Sequence, residues 1–128
     1  KAILSNNLNL AKIIKIVHPE IQKKMKFFIK KNKNKKIVIL DIPLLLENKI
    51  NNKKDILIFV QSNKIEILRK LKKRKNFNIN LINKFKKIQL PLDYKKSKSD
   101  YIIKNDFTKK TIKKNIQIIL RKILLWKK

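Results

Sequence analysis

Hydrophobic residues recur at steps of three and four along the first part of the chain. The recurring positions are Leu10, Ile13, Ile14, Val17, Ile21, Met25 and Phe28. This spacing places the side chains on one face of a helix, so the pattern predicts helical structure. Pro19 falls inside the pattern, and a proline removes a backbone hydrogen bond from a helix interior. We therefore expect one helix to end near His18 and a second to begin at Pro19, because a first turn tolerates proline.

Three short apolar runs predict strands. They are Ile37–Ile42, Asp55–Gln61 and Asp100–Lys104. Each run is rich in β-branched residues, which is typical of buried strands in a parallel sheet. The segment between the first two runs is predicted to be a short helix or a loop.

Further helices are predicted between and after the last two strands. Asn63, with Glu66 three residues later, resembles a capping box at a helix start. Asn78 precedes a second short amphipathic stretch, and Thr108 is a suitable N-cap for the last helix, whose apolar stripe covers Ile112–Leu124. Strands that alternate with helices predict an α/β fold in which helices cover a parallel sheet.

Composition narrows the function classes. The chain has 128 residues without cysteine, which excludes disulfides and thiolate metal sites. It contains no glycine, so these residues include no glycine-rich phosphate-binding loop. The sequence predicts neither a membrane-spanning helix nor a secretory signal, and we expect a cytoplasmic protein. Because the sequence opens on Lys1 rather than methionine, we expect part of a larger domain.

The net charge of +28 suggests a nucleic-acid partner. All but three of the 36 basic residues are lysines, however, and the exceptions are Arg69, Arg74 and Arg121. Lysine lacks the planar fork with which arginine recognises phosphate and guanine. The joint excess of lysine, isoleucine and asparagine indicates a coding sequence poor in G and C, in which surface positions drift to lysine. We favour that interpretation and expect no specific nucleic-acid partner, while a lysine-rich nucleic-acid-binding protein is the alternative.

The segment LDIPLLLE, Leu40–Glu47, carries the strongest local signal. Asp41 stands at the carboxyl end of a predicted strand, where active sites of parallel sheets form and where P-loop enzymes place a carboxylate near Mg²⁺. The structural alternative for Asp41 is a turn or a helix cap.

Four segments together give the chain a family resemblance. They are IVHPEI (Ile16–Ile21), LDIPLLLE (Leu40–Glu47), QLPLDYK (Gln89–Lys95) and SDYIIKN (Ser99–Asn105). In this order and at these spacings they resemble dephospho-coenzyme A kinase, a P-loop kinase that moves the γ-phosphate of ATP to the ribose 3′-hydroxyl of dephospho-coenzyme A. Nucleoside and nucleotide monophosphate kinases are the nearest rivals within the same class of enzyme.

The resemblance implies a three-layer P-loop NTPase-like fold, with a parallel sheet, helices on both faces and a helical lid. The chain would be one partial domain that lacks the N-terminal strands of the family. Residues 1–36 would form the helical region around the acceptor substrate. Residues 37–128 would supply the remaining core strands, the lid helices and the C-terminal helix.

The resemblance also implies roles for single residues and for cofactors. Asp41 would lie near Mg²⁺ and the phosphates of ATP, and Arg74 would reach phosphate oxygens from the lid. Asn105 would line the adenine pocket, and His18 with Pro19 would belong to the acceptor region. The structural alternatives are a helix bend shaped by His18 and Pro19, and a solvated helix face for Arg74.

Three departures from the family accompany the resemblance. Lys70 stands where the family often has a lid arginine. Phe107 follows Asn105 in a loop where the family usually has a glycine, and phenylalanine disfavours a positive φ, so we expect a remodelled loop. The family's phosphate-binding loop has no counterpart in these residues. We therefore expect the 128 residues alone to be inactive. We also expect an open seam in their sheet, where a missing strand leaves apolar surface and unpaired backbone exposed.

Overall fold

The computed structural model describes residues 7–125, with the side chains of residues 19–125. The chain forms two compact units, one up to Ile50 and one from Asn51 onward. The described elements are α1 (Asn7–Lys31), β1 (Ile58–Ser62), α2 (Lys64–Lys72), α3 (Ile79–Ile88), α4 (Leu92–Ser97), β2 (Tyr101–Asn105) and α5 (Lys109–Leu125). This mixture of helices and parallel strands confirms the predicted α/β class. None of the described helices is long and apolar enough to cross a membrane.

The first unit contains α1, which runs through Pro19 without interruption. The prediction that one helix ends near His18 and another begins at Pro19 is therefore wrong. Proline removes only its own hydrogen bond, at a cost of about 3 kcal/mol, while the apolar spacing continues on both sides. Asn32 marks the end of the helix, because its backbone N–H and its side-chain amide both donate to the carbonyl of Phe28, at 3.1 and 2.9 Å.

The segment Ile37–Ile42 is irregular, so the strand predicted there is also wrong. A strand depends on hydrogen bonds to a neighbour, and no strand in the described part of the chain pairs with this segment. Turns follow over residues 43–49, and they include left-handed backbone at Leu44 and Lys49, with φ of 55° and 51°. The unit closes at Ile50, a buried residue whose N–H donates to the carbonyl of Leu45 at 3.2 Å.

The second unit is built on two parallel strands. β1 and β2 pair in register from Ile58 opposite Tyr101 to Ser62 opposite Asn105. The predicted strands at Asp55–Gln61 and Asp100–Lys104 are thus confirmed, as is the parallel direction of the sheet. β2 is the only strand beside β1 in the described residues, and Val60 of β1 is 55% exposed.

Asparagine side chains cap two of the helices, and the cap predicted at Asn63 is confirmed. The Asn63 side chain accepts a hydrogen bond from the N–H of Ile65 at 2.8 Å at the start of α2. The Asn78 side chain accepts from the N–H of Leu81 at 3.0 Å at the start of α3. Each of these bonds satisfies a backbone donor that the first turn of a helix leaves free.

The last helix anchors the sheet. α5 packs against β2 and carries Ile119, a buried apolar side chain. Its Asn115 side chain donates to the carbonyl of Lys104 in β2 at 2.9 Å. The short helix α4 was not predicted, although Pro91 precedes it and Asp93 lies in its first turn, both of which are common at helix starts.

Candidate functional site

The candidate site lies at the carboxyl ends of β1 and β2. The strands are parallel and end side by side at Ser62 and Asn105. Helix α2 begins two residues after β1, and the loop Asp106–Thr108 leads from β2 into α5. Ligands of parallel α/β sheets bind at this edge, because the loops that follow the strands meet there.

Asn105 occupies the last position of β2 and is half-buried. Its side-chain oxygen accepts a hydrogen bond from the backbone N–H of Phe107 at 2.8 Å, which fixes the turn that leaves the strand. The amide nitrogen of Asn105 makes no hydrogen bond within the described residues. Asn105 therefore keeps a donor for a ligand while its oxygen holds the loop.

Phe107 adopts a left-handed backbone conformation with a φ of 63°. For a residue with a Cβ this costs about 1–2 kcal/mol, since the Cβ approaches the following carbonyl oxygen. The expectation that phenylalanine would avoid a positive φ here and remodel the loop is therefore wrong, and the hydrogen bond from the Phe107 N–H to Asn105 holds the disfavoured conformation. The ring of Phe107 receives the ammonium of Lys70, which lies 4.6 Å from the ring centroid. Both residues depart from the family pattern, and nothing in the sequence indicates that they touch.

Asp106 and Thr108 shape the start of α5. Asp106 accepts hydrogen bonds from the backbone N–H and the hydroxyl of Thr108, at 2.9 and 2.8 Å. The Thr108 hydroxyl oxygen accepts a longer bond of 3.4 Å from the N–H of Thr111, so the predicted N-cap is confirmed. Hydrogen bonding from Thr111, and then from the backbone and hydroxyl of Thr108, holds the pKa of the Asp106 carboxyl below its ordinary value.

A basic segment covers the end of α2 and the turn after it. Its cations are Arg69, Lys70, Lys72, Lys73, Arg74 and Lys75. Arg69 forms a salt bridge with Glu66 at 2.7 Å, an exposed pair that contributes about 0–1 kcal/mol. Arg74 is exposed, and its backbone N–H donates to the carbonyl of Leu71 at 3.0 Å. The Arg74 guanidinium makes no hydrogen bond or salt bridge within the described side chains, so it is free to bind an anion.

The sequence-predicted site residues fall into both units. Arg74 and Asn105 belong to the second unit, although no described hydrogen bond or salt bridge joins them. Asp41 belongs to the first unit, where it is exposed in the irregular segment after Leu40. Pro19 is exposed within α1, and the side chain of His18 lies outside the described side chains.

The sequence comparison decides the family. A family model described as dephospho-CoA kinase matches residues 1–111. The chain belongs to the dephospho-CoA kinase family. The matched range includes all four segments on which the resemblance was based, and it ends within α5.

Curated members of the dephospho-CoA kinase family are similar to most of this chain. The dephospho-CoA kinase of Bacillus cereus is 35% identical over 112 residues, which are 84% of this chain and 55% of that protein. The Rickettsia felis enzyme is 30% identical over 125 residues, 94% of this chain and 65% of its own length. The Wolbachia pipientis enzyme is 29% identical over 122 residues, 94% of this chain and 62% of its own length. The chain therefore spans more than half, but less than two thirds, of these relatives.

Proposed function

We propose that the chain is part of an ATP-dependent kinase that phosphorylates the ribose 3′-hydroxyl of dephospho-coenzyme A, giving coenzyme A. The family match over residues 1–111 carries this proposal. In the reaction, the 3′-oxygen forms a bond to the γ-phosphorus of ATP, the bond to the β,γ-bridging oxygen breaks, and ADP leaves. The hydroxyl proton is released. Catalysis of this kind depends mainly on positioning and on neutralising phosphate charge.

The proposed fold is the P-loop NTPase architecture, with a three-layer arrangement, helices on both faces of a parallel sheet and a helical lid. The chain would form one partial domain of it. The parallel pair of β1 and β2, flanked by α5, supports this proposal because it has the strand direction that the architecture requires. Within that domain, residues 1–36 would be the acceptor-substrate region, with His18 and Pro19 in α1. Residues 37–128 would supply the remaining core, the lid helices and the C-terminal helix.

The second unit would bind ATP. The free amide donor of Asn105 suits an acceptor nitrogen of adenine, and the exposed guanidinium of Arg74 suits phosphate oxygens, which it would contact as a planar fork. Asn105 ends β2 at the carboxyl edge of the sheet, where the ligands of such sheets bind. Arg74 follows α2, the helix that begins at the same edge.

Asp41 would serve the phosphates through Mg²⁺. No group of three or more histidine, cysteine or acidic residues forms a metal cluster in the described part of the chain. A single carboxylate fits Mg²⁺ even so, because this ion keeps several waters and is held by one or two carboxylates together with phosphates. Asp41 is exposed and thus available for such a contact. When bound, Mg²⁺ neutralises the negative charge of the β- and γ-phosphates.

Formation of coenzyme A from dephospho-coenzyme A and ATP tests the proposal. The assay uses the gene product that carries these residues, with adenosine and AMP as competing acceptors and chromatography of the products. We expect phosphorylation of dephospho-coenzyme A alone, in a cytoplasmic protein, and no turnover by the 128 residues by themselves. Preferred phosphorylation of AMP or adenosine would assign the chain to the nucleotide or nucleoside kinases instead.

RNA binding provides the test of the alternative function. A charge of +28 predicts weak binding to any polyanion, with an affinity that falls steeply as salt rises. Filter binding with RNAs of unrelated sequence is expected to show no sequence preference. Tight, sequence-selective binding at physiological salt would support the lysine-rich nucleic-acid-binding alternative.

A further inference from the structure

The contact between Lys70 and Phe107 joins two elements that are remote in the sequence. Lys70 belongs to α2, which follows β1, whereas Phe107 lies in the loop that follows β2. The Lys70 ammonium is 4.6 Å from the centroid of the Phe107 ring, within the range in which the negative face of an aromatic ring attracts a cation. The contact therefore places one cation at the edge of the sheet where both strands end.

The backbone conformation of Phe107 is unfavourable for a residue that carries a ring. Its φ of 63° is disfavoured for phenylalanine, and glycine would take it without a steric cost. The hydrogen bond from the Phe107 N–H to Asn105 holds this conformation. Non-glycine residues in disfavoured conformations persist where the surrounding structure determines them, and they cluster at functional sites.

The charges around Lys70 favour an anion. Lys70 is followed within five residues by Lys72, Lys73, Arg74 and Lys75. No salt bridge ties any of these five cations to a carboxylate in the described part of the chain. The partial negative charge at the carboxyl end of α2 offsets part of the repulsion among these cations. An anion with several oxygens would offset more of it.

We propose that Phe107 is a positioning residue for phosphate binding, whose ring holds the Lys70 ammonium in the place where Lys70 and Arg74 bind one polyphosphate. The inference rests on the proposed function, because that polyphosphate is the triphosphate of ATP. Phe107 itself touches no phosphate. A flexible lysine samples many rotamers in solution, so restricting it to the ring face reduces the entropy that is lost when the anion binds.

Binding of inorganic tripolyphosphate to the gene product that carries these residues tests the inference without reference to catalysis. The variants are Phe107→Gly, which accepts the left-handed backbone and removes the ring, Phe107→Tyr, which keeps a ring, and Lys70→Met, which keeps the length without the charge. NMR is expected to show the Lys70 Hε protons shifted upfield by the ring in the unmodified chain and in Phe107→Tyr, but not in Phe107→Gly. The Kd for tripolyphosphate is expected to rise about two- to fivefold in Phe107→Gly, and Phe107→Tyr to restore it.

The double variant Lys70→Met with Phe107→Gly distinguishes positioning from a general structural effect. If Phe107 acts through Lys70, the double variant binds tripolyphosphate no more weakly than Lys70→Met alone. An equal loss on removing the ring in both backgrounds would overturn the inference, as would an unchanged Kd in Phe107→Gly.

Kinetics of the gene product separate this inference from the proposed function. Phe107→Gly is expected to raise KM for ATP about two- to fivefold while KM for dephospho-coenzyme A stays constant. Normal coenzyme A synthesis with an unchanged KM for ATP would refute the role of Phe107 and leave the kinase proposal intact. If Lys70 and Phe107 prove to be coupled in tripolyphosphate binding but the protein makes no coenzyme A, the kinase proposal is refuted instead.

Discussion

The backbone N–H of Leu57 donates a hydrogen bond of 2.7 Å to the carboxylate of Asp100, and the backbone N–H of Asp100 donates one of 2.8 Å to the carbonyl of Leu57. This reciprocal pair joins the residues that precede the two strands, one step before Ile58 meets Tyr101. It thus fixes the register of the parallel ladder at its first rung. The register in turn brings Ser62 and Asn105 to the same edge of the sheet.

Replacing Asp100 should therefore loosen the sheet. Asp100→Ala is expected to lower the free energy of unfolding by about 1–3 kcal/mol, because the N–H of Leu57 loses a charged acceptor. Asp100→Asn should retain most of the stability, since its side-chain oxygen still accepts. Urea titration of the gene product that carries these residues measures the difference, with Asp93→Ala on α4 as the matched control. Equal losses in the alanine and asparagine variants of Asp100 would contradict this role.

The cap of α3 makes a separate contribution to stability. Asn78→Ala is expected to lower the free energy of unfolding by about 1 kcal/mol, because the N–H of Leu81 loses its acceptor. Asn83→Ala, inside the same helix, serves as the control and should be neutral or stabilising, as alanine favours helix. The same urea titration compares the two, and an equal effect at both positions would argue against capping.

Asp106 should make stability depend on acid pH. Its pKa is lowered in the folded chain, so folding favours the ionised form. The contribution is complete above the ordinary pKa of 3.8 and is lost as the pH falls through the lowered pKa of the folded state. Thermal melts of the gene product that carries these residues, between about pH 5 and about pH 1, are expected to show a smaller acid-induced loss of stability in Asp106→Asn than in the unmodified protein. Asp93→Asn is the control, and parallel curves for all three proteins would exclude this contribution.

Asp41→Asn should impair turnover more than folding. Asp41 is exposed, so the substitution removes a charge without disturbing packing. In the gene product that carries these residues, kcat is expected to fall on the order of 10²-fold, as when one stabilising group is lost from a transition state. Asp93→Asn changes the same group at an exposed position on α4 and should leave kcat unaltered. A melting temperature that falls in proportion to activity would indicate a structural role for Asp41.

The 128 residues alone should melt without a sharp transition. Ile50 and Ile119 are the buried apolar side chains among those that the structure describes, while Ile39, Val60 and Ile65 are more than half exposed. So small a buried core supplies little of the hydrophobic stabilisation on which a domain depends. Hydrogen exchange is expected to be fast in β1 and in the segment Ile37–Ile42. A cooperative transition at high temperature, with protected amides in β1, would contradict the prediction that the isolated chain exposes an unpaired edge of its sheet.

Local sequence signals predicted the second unit well and the first unit poorly. The caps at Asn63 and Thr108 are recognisable in the sequence because a cap acts within one helical turn, on partners two or three residues away. The strand predicted at Ile37–Ile42 failed because an apolar run specifies burial, whereas a strand also needs a neighbour to pair with. The helix break predicted at Pro19 failed because the free-energy cost of one proline was smaller than the stability of the helix around it.

In the candidate site, too, the sequence predicts local features but not contacts between distant elements. Asn105 and Arg74 were assigned through motifs, and each motif is a short stretch of neighbouring residues. The contact of Lys70 with Phe107 depends instead on how two distant elements meet, and neither residue carries a sequence signal for its partner. The left-handed φ of Phe107 could not be predicted from the residue type either, because glycine and asparagine are the residues that favour this conformation.

The parallel pairing of β1 with β2 has a consequence for the order of events during folding. The first rung joins Leu57 to Asp100, which are 43 positions apart, and the chain between them contains α2, α3 and α4. Closing so long a loop costs entropy before any contact of the ladder forms, so sheets with this topology assemble slowly. Because synthesis proceeds from the N-terminus, β1 is made before its partner strand and must wait for it. Until then its unpaired edge and the exposed side chain of Val60 are a target for chaperones and a risk for aggregation.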